Sequence, residues 1–474
     1  MPPFHGSRRA DDRANRTVSD VPRTGDRAIH VAVSQGNAAH SRVRSGYSLP
    51  VLTRRLDAIA ATMRLIDRPI AVLALIGFIS QVGVSIMLPL LPLYARELGA
   101  TPGQLGLMVS AFAVTVTIGQ LGSGVVIGRI SAGRQMPFGL AGYAVANALI
   151  ATTSSAGALI TFRAIAGFGG GLSIIAERVY IARVSVRERL AFTNGVVSAA
   201  ASAGSVLGPT IGGVLATISL RMPFVAVAVT ATLAMVASLF LPREPDREPS
   251  AADAGRSAPP EPGQGRAYAP GLRGSLGTRW LDLRPLVLLS MWNLGFNASF
   301  GGWITTYSPL ATTRLGIPVV QVALIFAAFG IGSVVIGPWL AGIADRRGRR
   351  GMVAIGSTLV LGHIATLVVA APVPVVFATA VVAGGGLAAA QASWFALLSV
   401  ATDGGRRGRS FGMVTALSNL GVIVGATLAA TAWEAVDITA GMAVAMVFLA
   451  LGTVSLVLVR GHDGDGSPVK GKAG

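Results

Sequence analysis

The chain has 474 residues, of which 52% are hydrophobic, 13% are charged and 60 are glycine, too apolar for a soluble protein of this size and typical of polytopic helices. It contains no Cys, which excludes disulfides, thiolate metal sites and Cys nucleophiles. Its net charge of +18 does not point to nucleic acid, because the basic residues fall in short loops between apolar runs, the pattern that sets topology in a membrane.

Residues 1–66 are polar and Arg-rich, with no apolar run long enough for a signal peptide or a span. They are expected to be a disordered basic tail or an over-extended start, with Met63, followed by Arg64, as a plausible true start. From about Pro69 come apolar runs of about 20 residues, the length that crosses a bilayer. They fall at 70–95, 104–128, 136–154, 158–180, 191–213 and 222–241, then at 285–310, 319–343, 351–371, 374–400, 411–432 and 438–459. The expected fold is therefore an all-α membrane protein of about twelve transmembrane helices. It comprises an N-terminal six-helix half (67–242), a cytoplasmic linker (243–284), a C-terminal half (285–460) and a cytoplasmic tail (461–474). The linker is rich in Pro, Gly, Ala and charge, as a flexible tether is.

Arginines collect on one side, at Arg129 and Arg134, Arg183 to Arg189, Arg346 to Arg350 and Arg406 to Arg409. The other side has little beyond Arg96, Arg221 and Arg314, so both termini are expected in the cytoplasm. The two sets of six also match internally. Leu98-Gly99 recurs as Leu315-Gly316, Gly133-Arg134 as Gly348-Arg349, and Gly195, Gly204 and Gly208 as Gly412, Gly421 and Gly425, all at a near-constant offset. Such parallel repeats build transporters whose halves rock about a midplane site.

The fifth run holds Gly195, Gly204, Gly208, Pro209, Gly212 and Gly213. Gly204, Gly208 and Gly212 form one small-residue stripe where another backbone can approach, and Pro209 bends the helix. This spacing resembles the fifth-helix signature of proton-coupled drug antiporters of the major facilitator superfamily. The loop Gly342-Ile343-Ala344-Asp345-Arg346-Arg347-Gly348-Arg349-Arg350 is similar to that superfamily's G-x-L-A-D-R-x-G-R-R loop, with Ala341 where its first Gly would stand. The first-half counterpart, Gly128, Arg129, Ile130, Ser131, Ala132, Gly133 and Arg134, keeps Gly and Arg but has no acid. Asp and Arg in such loops can clasp helix ends at the cytoplasmic rim and release them as the halves rock. In the fourth run, Arg163 followed by Gly167 and Gly169 resembles the family's R-x-x-x-G-x-G, whose Arg is tied to proton transfer or substrate binding.

An Arg inside a span costs about 3 kcal/mol or more on insertion scales, so Arg163 either faces a cavity or partner or snorkels to the outer headgroups. Among the carboxylates only Glu177 falls plausibly inside a span. It lies about 40° round the helix from Arg163 and about 21 Å along it, so the two would bracket a cavity rather than pair. A partly buried carboxylate suits a proton carrier; Glu177 with Arg178 could equally mark the helix end. Other polar residues within spans include Gln81, Asn293, Asn297, His363 and Gln391; the first span has Ser80 and Gln81 where many of these antiporters carry an acid. Trp292, Trp303, Trp339 and Trp394 could stack on a flat ligand or be ordinary interfacial residues. His363 reads as a packing residue.

The resemblance implies a secondary transporter that works by alternating access around the first, fourth, seventh and tenth helices. It implies proton-coupled efflux of lipophilic or amphipathic small molecules from a multi-pass plasma-membrane protein, with a proton gradient and no cofactor. The antiporter-type helix is expected to pack against the other half and limit proton leakage. Expected partners are substrate, protons and lipid, with no nucleic acid and a monomeric state. An importer or facilitator of sugars or organic acids is the alternative. A membrane enzyme is disfavoured: the spans hold no carboxylate pair, the His are few, and there is no Walker-type nucleotide motif.

Overall fold

The computed structural model describes residues 66–127, 129–185, 189–244, 276–401 and 407–457. Gly128, Arg187, Arg406, both tails and most of the 243–284 linker lie outside these residues. In the first half the helices are α1 (Arg68–Met87), α2 (Leu91–Glu97), α3 (Pro102–Val126), α4 (Ala132–Thr152), α5 (Ala156–Val184), α6 (Leu190–Ala216) and α7 (Met222–Leu239). In the second they are α8 (Leu276–Thr313), α9 (Val319–Val335), α10 (Gly337–Arg347), α11 (Arg349–Val368), α12 (Val373–Ala401), α13 (Arg407–Ala435) and α14 (Ile438–Val457).

Each of the twelve runs read from hydropathy corresponds to helix, and two of them are broken. The first run is α1 plus α2, interrupted where Pro89 has no N–H to continue the ladder and Pro92 opens the next turn. The eighth is α9 plus α10, bent by 42° just before Pro338. Among the described residues, taken singly, 8 helices are long and apolar enough to cross a membrane, or 9 if the bent pair counts as one. The molecule's outer flank is apolar as well: Leu121 is 72% exposed, Phe138 70% and Ile218 72%, as side chains facing lipid are.

Local chemistry sets the helix ends. Thr101 and Gln104 form a reciprocal capping box at the start of α3, with Pro102 in its first turn. Gly99 and Gly316 occupy equivalent places in the two halves, and both turn the chain at positive φ, +80° and +62°, which a side chain disfavours.

The packing repeats as the sequence does. In the first half α1 packs on α6 and α7, α3 on α5, and α4 on α5 and α7. In the second, α8 packs on α13 and α14, α9 on α12, and α11 on α12 and α14. The halves meet along two seams related in the same way, α3 with α13 and α6 with α9. Along the first seam Ser110 Oγ meets Thr427 Oγ1 at 3.1 Å and Asn419 Nδ2 donates to Thr117 Oγ1 at 2.9 Å.

The expected packing of α6 against the other half is made along α9, but not by its glycine stripe. A Cβ placed on Gly204, Gly208 or Gly212 would lie 2.6, 2.6 or 2.7 Å from the carbonyl oxygens of Phe78, Val82 and Ile86, all on α1. The stripe therefore seals α6 to α1 within its own half rather than to the other half. Gly213, one residue and about 100° further round, is the glycine that faces the second half, opposite Ala323 of α9. Gly195 meets nothing within 4 Å. The second half reproduces the arrangement, with Gly421 and Gly425 against Leu294 and Ala298 of α8.

Candidate functional site

Between the halves lies a cavity of about 370 Å³, walled by α1 and α6 on one side and by α8, α9, α11 and α12 on the other. The second half supplies most of its wall, chiefly the rings of Phe296, Phe300, Trp303, Phe326 and Phe329. The α8 rings stand at i, i+4 and i+7 and so share one helix face. Trp303 packs against Phe300, Tyr307 and Phe326 with centroids 5.8, 5.0 and 4.9 Å apart, which fixes its plane.

Apart from His363, the polar groups of the wall are neutral. Gln81 donates through Nε2 to Ser85 Oγ at 3.2 Å, and its Oε1 makes no hydrogen bond among the described residues. Ser299 is 3% exposed, lines the cavity, and has no hydrogen bond among the described residues; the Gln391 amide and the Trp303 Nε1–H are likewise unpaired. The lining contains no Asp, Glu, Lys or Arg, and His363 is its one titratable residue. His363 is held from both sides. The Thr379 hydroxyl donates to Val375 O at 2.9 Å, so it accepts from His363 Nδ1–H at 3.1 Å. Nε2 faces the Tyr307 hydroxyl at 3.4 Å.

Of the residues expected at the cavity, Gln81 and Gln391 line it, and Pro209 of the α6 motif joins them. Asn293, Asn297 and Trp394 do not. Asn293 donates to Ser418 Oγ at 2.7 Å between α8 and α13, and Asn297 donates back to Asn293 O at 2.8 Å. Trp394 is buried against Trp292, with its Nε1–H on Leu289 O at 3.0 Å, so its ring belongs to the packing of α8 on α12. Trp339 is 67% exposed on the outer flank, and Trp303 is the tryptophan that reaches the cavity.

The fourth span, α5, contributes nothing to this wall; α6, α9 and α11 join the expected α1, α8 and α12. Arg163 is only 5% exposed, which rules out snorkelling to the headgroups. It lies inside the first half, its guanidinium 4.0 Å from the Phe112 ring centroid and its Nη1 3.2 Å from Met87 Sδ. Among the described residues its Nε makes no hydrogen bond, and neither do the buried Tyr143 Oη and Asn147 Oδ1 on α4. Glu177 is half-buried where α5 meets α1 and α6; its Oε1 lies 3.9 Å from the point a Cβ on Gly77 would occupy, and Val197 approaches the same point. It makes no hydrogen bond or ion pair among the described residues.

At the rim that carries the arginine loops, the halves differ. Asp345 accepts from Arg349 Nε and Nη2 at 3.2 and 3.1 Å across Gly348, an exposed pair local to its own loop. Arg346 is exposed beside it, and Arg350 also lies in this loop. In the first half Arg129 and Arg134 are exposed, and an acid reaches the loop from elsewhere. Glu244, just past α7, accepts the Gly133 backbone N–H at 2.6 Å and Arg183 Nη1 at 2.5 Å, with its side chain only 7% exposed. The carboxylate thus sits on the N-terminus of α4, where the helix dipole favours it, and ties it to the end of α5. Sequence reasoning placed Glu244 in the tether; its signal was an acid between Pro242 and Pro245 immediately after the sixth span.

Sequence comparison agrees with this architecture. The family described as Major Facilitator Superfamily matches residues 73–362 and 291–473. The chain is 31% identical over 170 residues to the quinolone resistance protein NorA of Staphylococcus aureus, covering 36% of this chain and 44% of NorA. It is 30% identical over 172 residues to multidrug resistance protein 1 of Bacillus subtilis, again covering 36% and 44%. These alignments span less than half the length of either relative. Among solved structures, the nucleoside transporter NupG superposes with a TM-score of 0.60 at 14% identity, covering 83% of this chain and 98% of NupG. An inward-facing bacterial homolog of the human lysosomal transporter Spinster gives 0.63 at 13% identity, covering 83% and 97%. At such identities the likeness speaks for the fold alone. The chain belongs to the Major Facilitator Superfamily.

Proposed function

We propose that this protein is a secondary transporter that exports lipophilic or amphipathic small molecules by alternating access, driven by protons entering in exchange. The observation that carries the reading is the aromatic cavity on the seam between two pseudo-symmetric halves, where rocking would expose it to each side in turn. The partial similarity to NorA and to multidrug resistance protein 1 supports the same reading. Both termini are cytoplasmic, the protein acts as a monomer in the plasma membrane, and the proton gradient serves in place of a cofactor. The Asp345 and Glu244 clusters hold the cytoplasmic rim of their halves and shift as the halves rock.

Glu177 is the proton carrier in this scheme, because it is a half-buried carboxylate within a span that makes no ion pair among the described residues. It binds a proton in one orientation and releases it to the cytoplasm in the other, while Arg163 holds positive charge on the outer side of the same helix. The test uses purified protein in liposomes with an imposed pH gradient and a lipophilic fluorescent dye. Wild type should concentrate dye only while protons run the other way, and Glu177→Gln should stop uphill movement while leaving downhill exchange. Equal dye movement with and without a gradient would instead establish a facilitator, a reading favoured by the absence of any carboxylate from the cavity wall.

A further inference from the structure

Resting on the transporter reading, we propose that the central cavity selects uncharged, flat aromatic molecules that carry a hydrogen-bond acceptor, and discriminates against permanent organic cations. The ring surfaces of Phe296, Phe300 and Trp303 from one helix, with Phe326 and Phe329 from another, offer extended apolar faces. Their wall carries unused donors, namely the Trp303 Nε1–H, the buried Ser299 hydroxyl and the Gln391 amide. An acceptor on the ligand would complete them, and a ligand without one would leave them unpaired away from water.

Charge decides the rest. No carboxylate lines the cavity, and Glu177 lies on α5, which does not reach it. A cation entering would give up its hydration for ring faces and a few neutral amide and hydroxyl oxygens, with no carboxylate to pair it, and an unpaired buried ion loses more than cation–π contact restores. An anion has no cation to meet either, since Arg163 is enclosed in the first half and His363 has both ring nitrogens engaged by Thr379 and Tyr307. The volume, about 370 Å³, sits at the small end of drug-sized pockets.

The experiment compares N-methylacridone with N-methylacridinium, which share one ring system and differ in the carbonyl acceptor and the fixed charge. Binding to purified protein in nanodiscs is measured without any gradient, so that failure of transport or coupling cannot be mistaken for failure of selectivity. N-methylacridone should bind at least about tenfold tighter than N-methylacridinium. Trp303→Ala should abolish that difference, and Trp339→Ala, on the outer flank, should leave it intact. Gln391→Glu places a carboxylate in the wall and should turn the preference toward N-methylacridinium at pH 8, a gain that misfolding cannot mimic. The proposal is overturned if the cation binds wild type as well as the neutral ring does, or if Gln391→Glu leaves the preference unchanged.

Discussion

The two halves share a backbone plan and diverge in side-chain chemistry. Each repeats the same five helix pairings and the same glycine contacts between its first and fifth spans. The first half encloses three of its charges: Arg163 lies within its core, Glu177 sits where three of its helices meet, and Glu244 is folded onto its loop. The second half turns rings toward the seam and keeps its charged pair, Asp345 with Arg349, exposed at the rim. The two halves share the parts that determine how closely backbones approach and differ in the rest, with buried charge in the first and most of the cavity wall in the second.

The largest effect should come from breaking the shared plan. Gly208→Leu would force a side chain into space where even a Cβ lies 2.6 Å from Val82 O, and Gly421→Leu should do the same to the second half at Leu294 O. Overpacking costs about 1–3 kcal/mol for added methylenes in a close-packed core, and here the obstacle is backbone that cannot turn aside. Both variants should lose the monodisperse peak in size-exclusion chromatography. Gly195→Ala, in the same motif, meets open space and should keep that peak, with a gain of about 0.5–1 kcal/mol from helix propensity.

Smaller effects sharpen the contrast between the rims. Glu244→Gln retains an acceptor for the Gly133 N–H but removes the charge that holds Arg183, in a site with little solvent. Loss of a charge-assisted bond there should cost about 1.5–3 kcal/mol, read as a lower unfolding midpoint in thermal melts. Asp345→Asn should change the same midpoint least, by about 1 kcal/mol or less, because its pair with Arg349 is exposed and local. Equal losses at the two sites would contradict the claim that the first half encloses its charge.

Much of this contrast could be read from residues alone, and the rest fails for identifiable reasons. Hydropathy located the spans because lipid demands about 20 apolar residues of any helix. The breaks at Pro89 and before Pro338 escaped it because a hydropathy window averages over a proline. The glycine spacing of α6 announced close backbone contact, yet periodicity gives a face without naming the helix that covers it, so the partner proved to be α1. Phe296, Phe300 and Trp303 share a face that, in a chain surrounded by lipid, reads the same whether it meets a cavity or the bilayer. Asn293 and Asn297, polar within a span, suggested a pore, but the structure uses them to join α8 to α13 and to each other. Glu244 lay hidden because its partners, Gly133 and Arg183, are remote in sequence and converge only in the folded half.

The central claim, that the halves rock about the seam cavity, is open to direct measurement because the chain has no native Cys to compete with introduced labels. Spin labels on Arg129→Cys with Arg346→Cys report the separation of the halves at the arginine-loop rim, and Glu97→Cys with Val436→Cys report it at the opposite rim. Pulsed electron–electron distance measurements at pH 8 and pH 5, with and without N-methylacridone, should give two populations at each rim. Rocking predicts that one separation lengthens as the other shortens when conditions change. A single unchanging distance at both rims, or two that rise and fall together, would contradict the account.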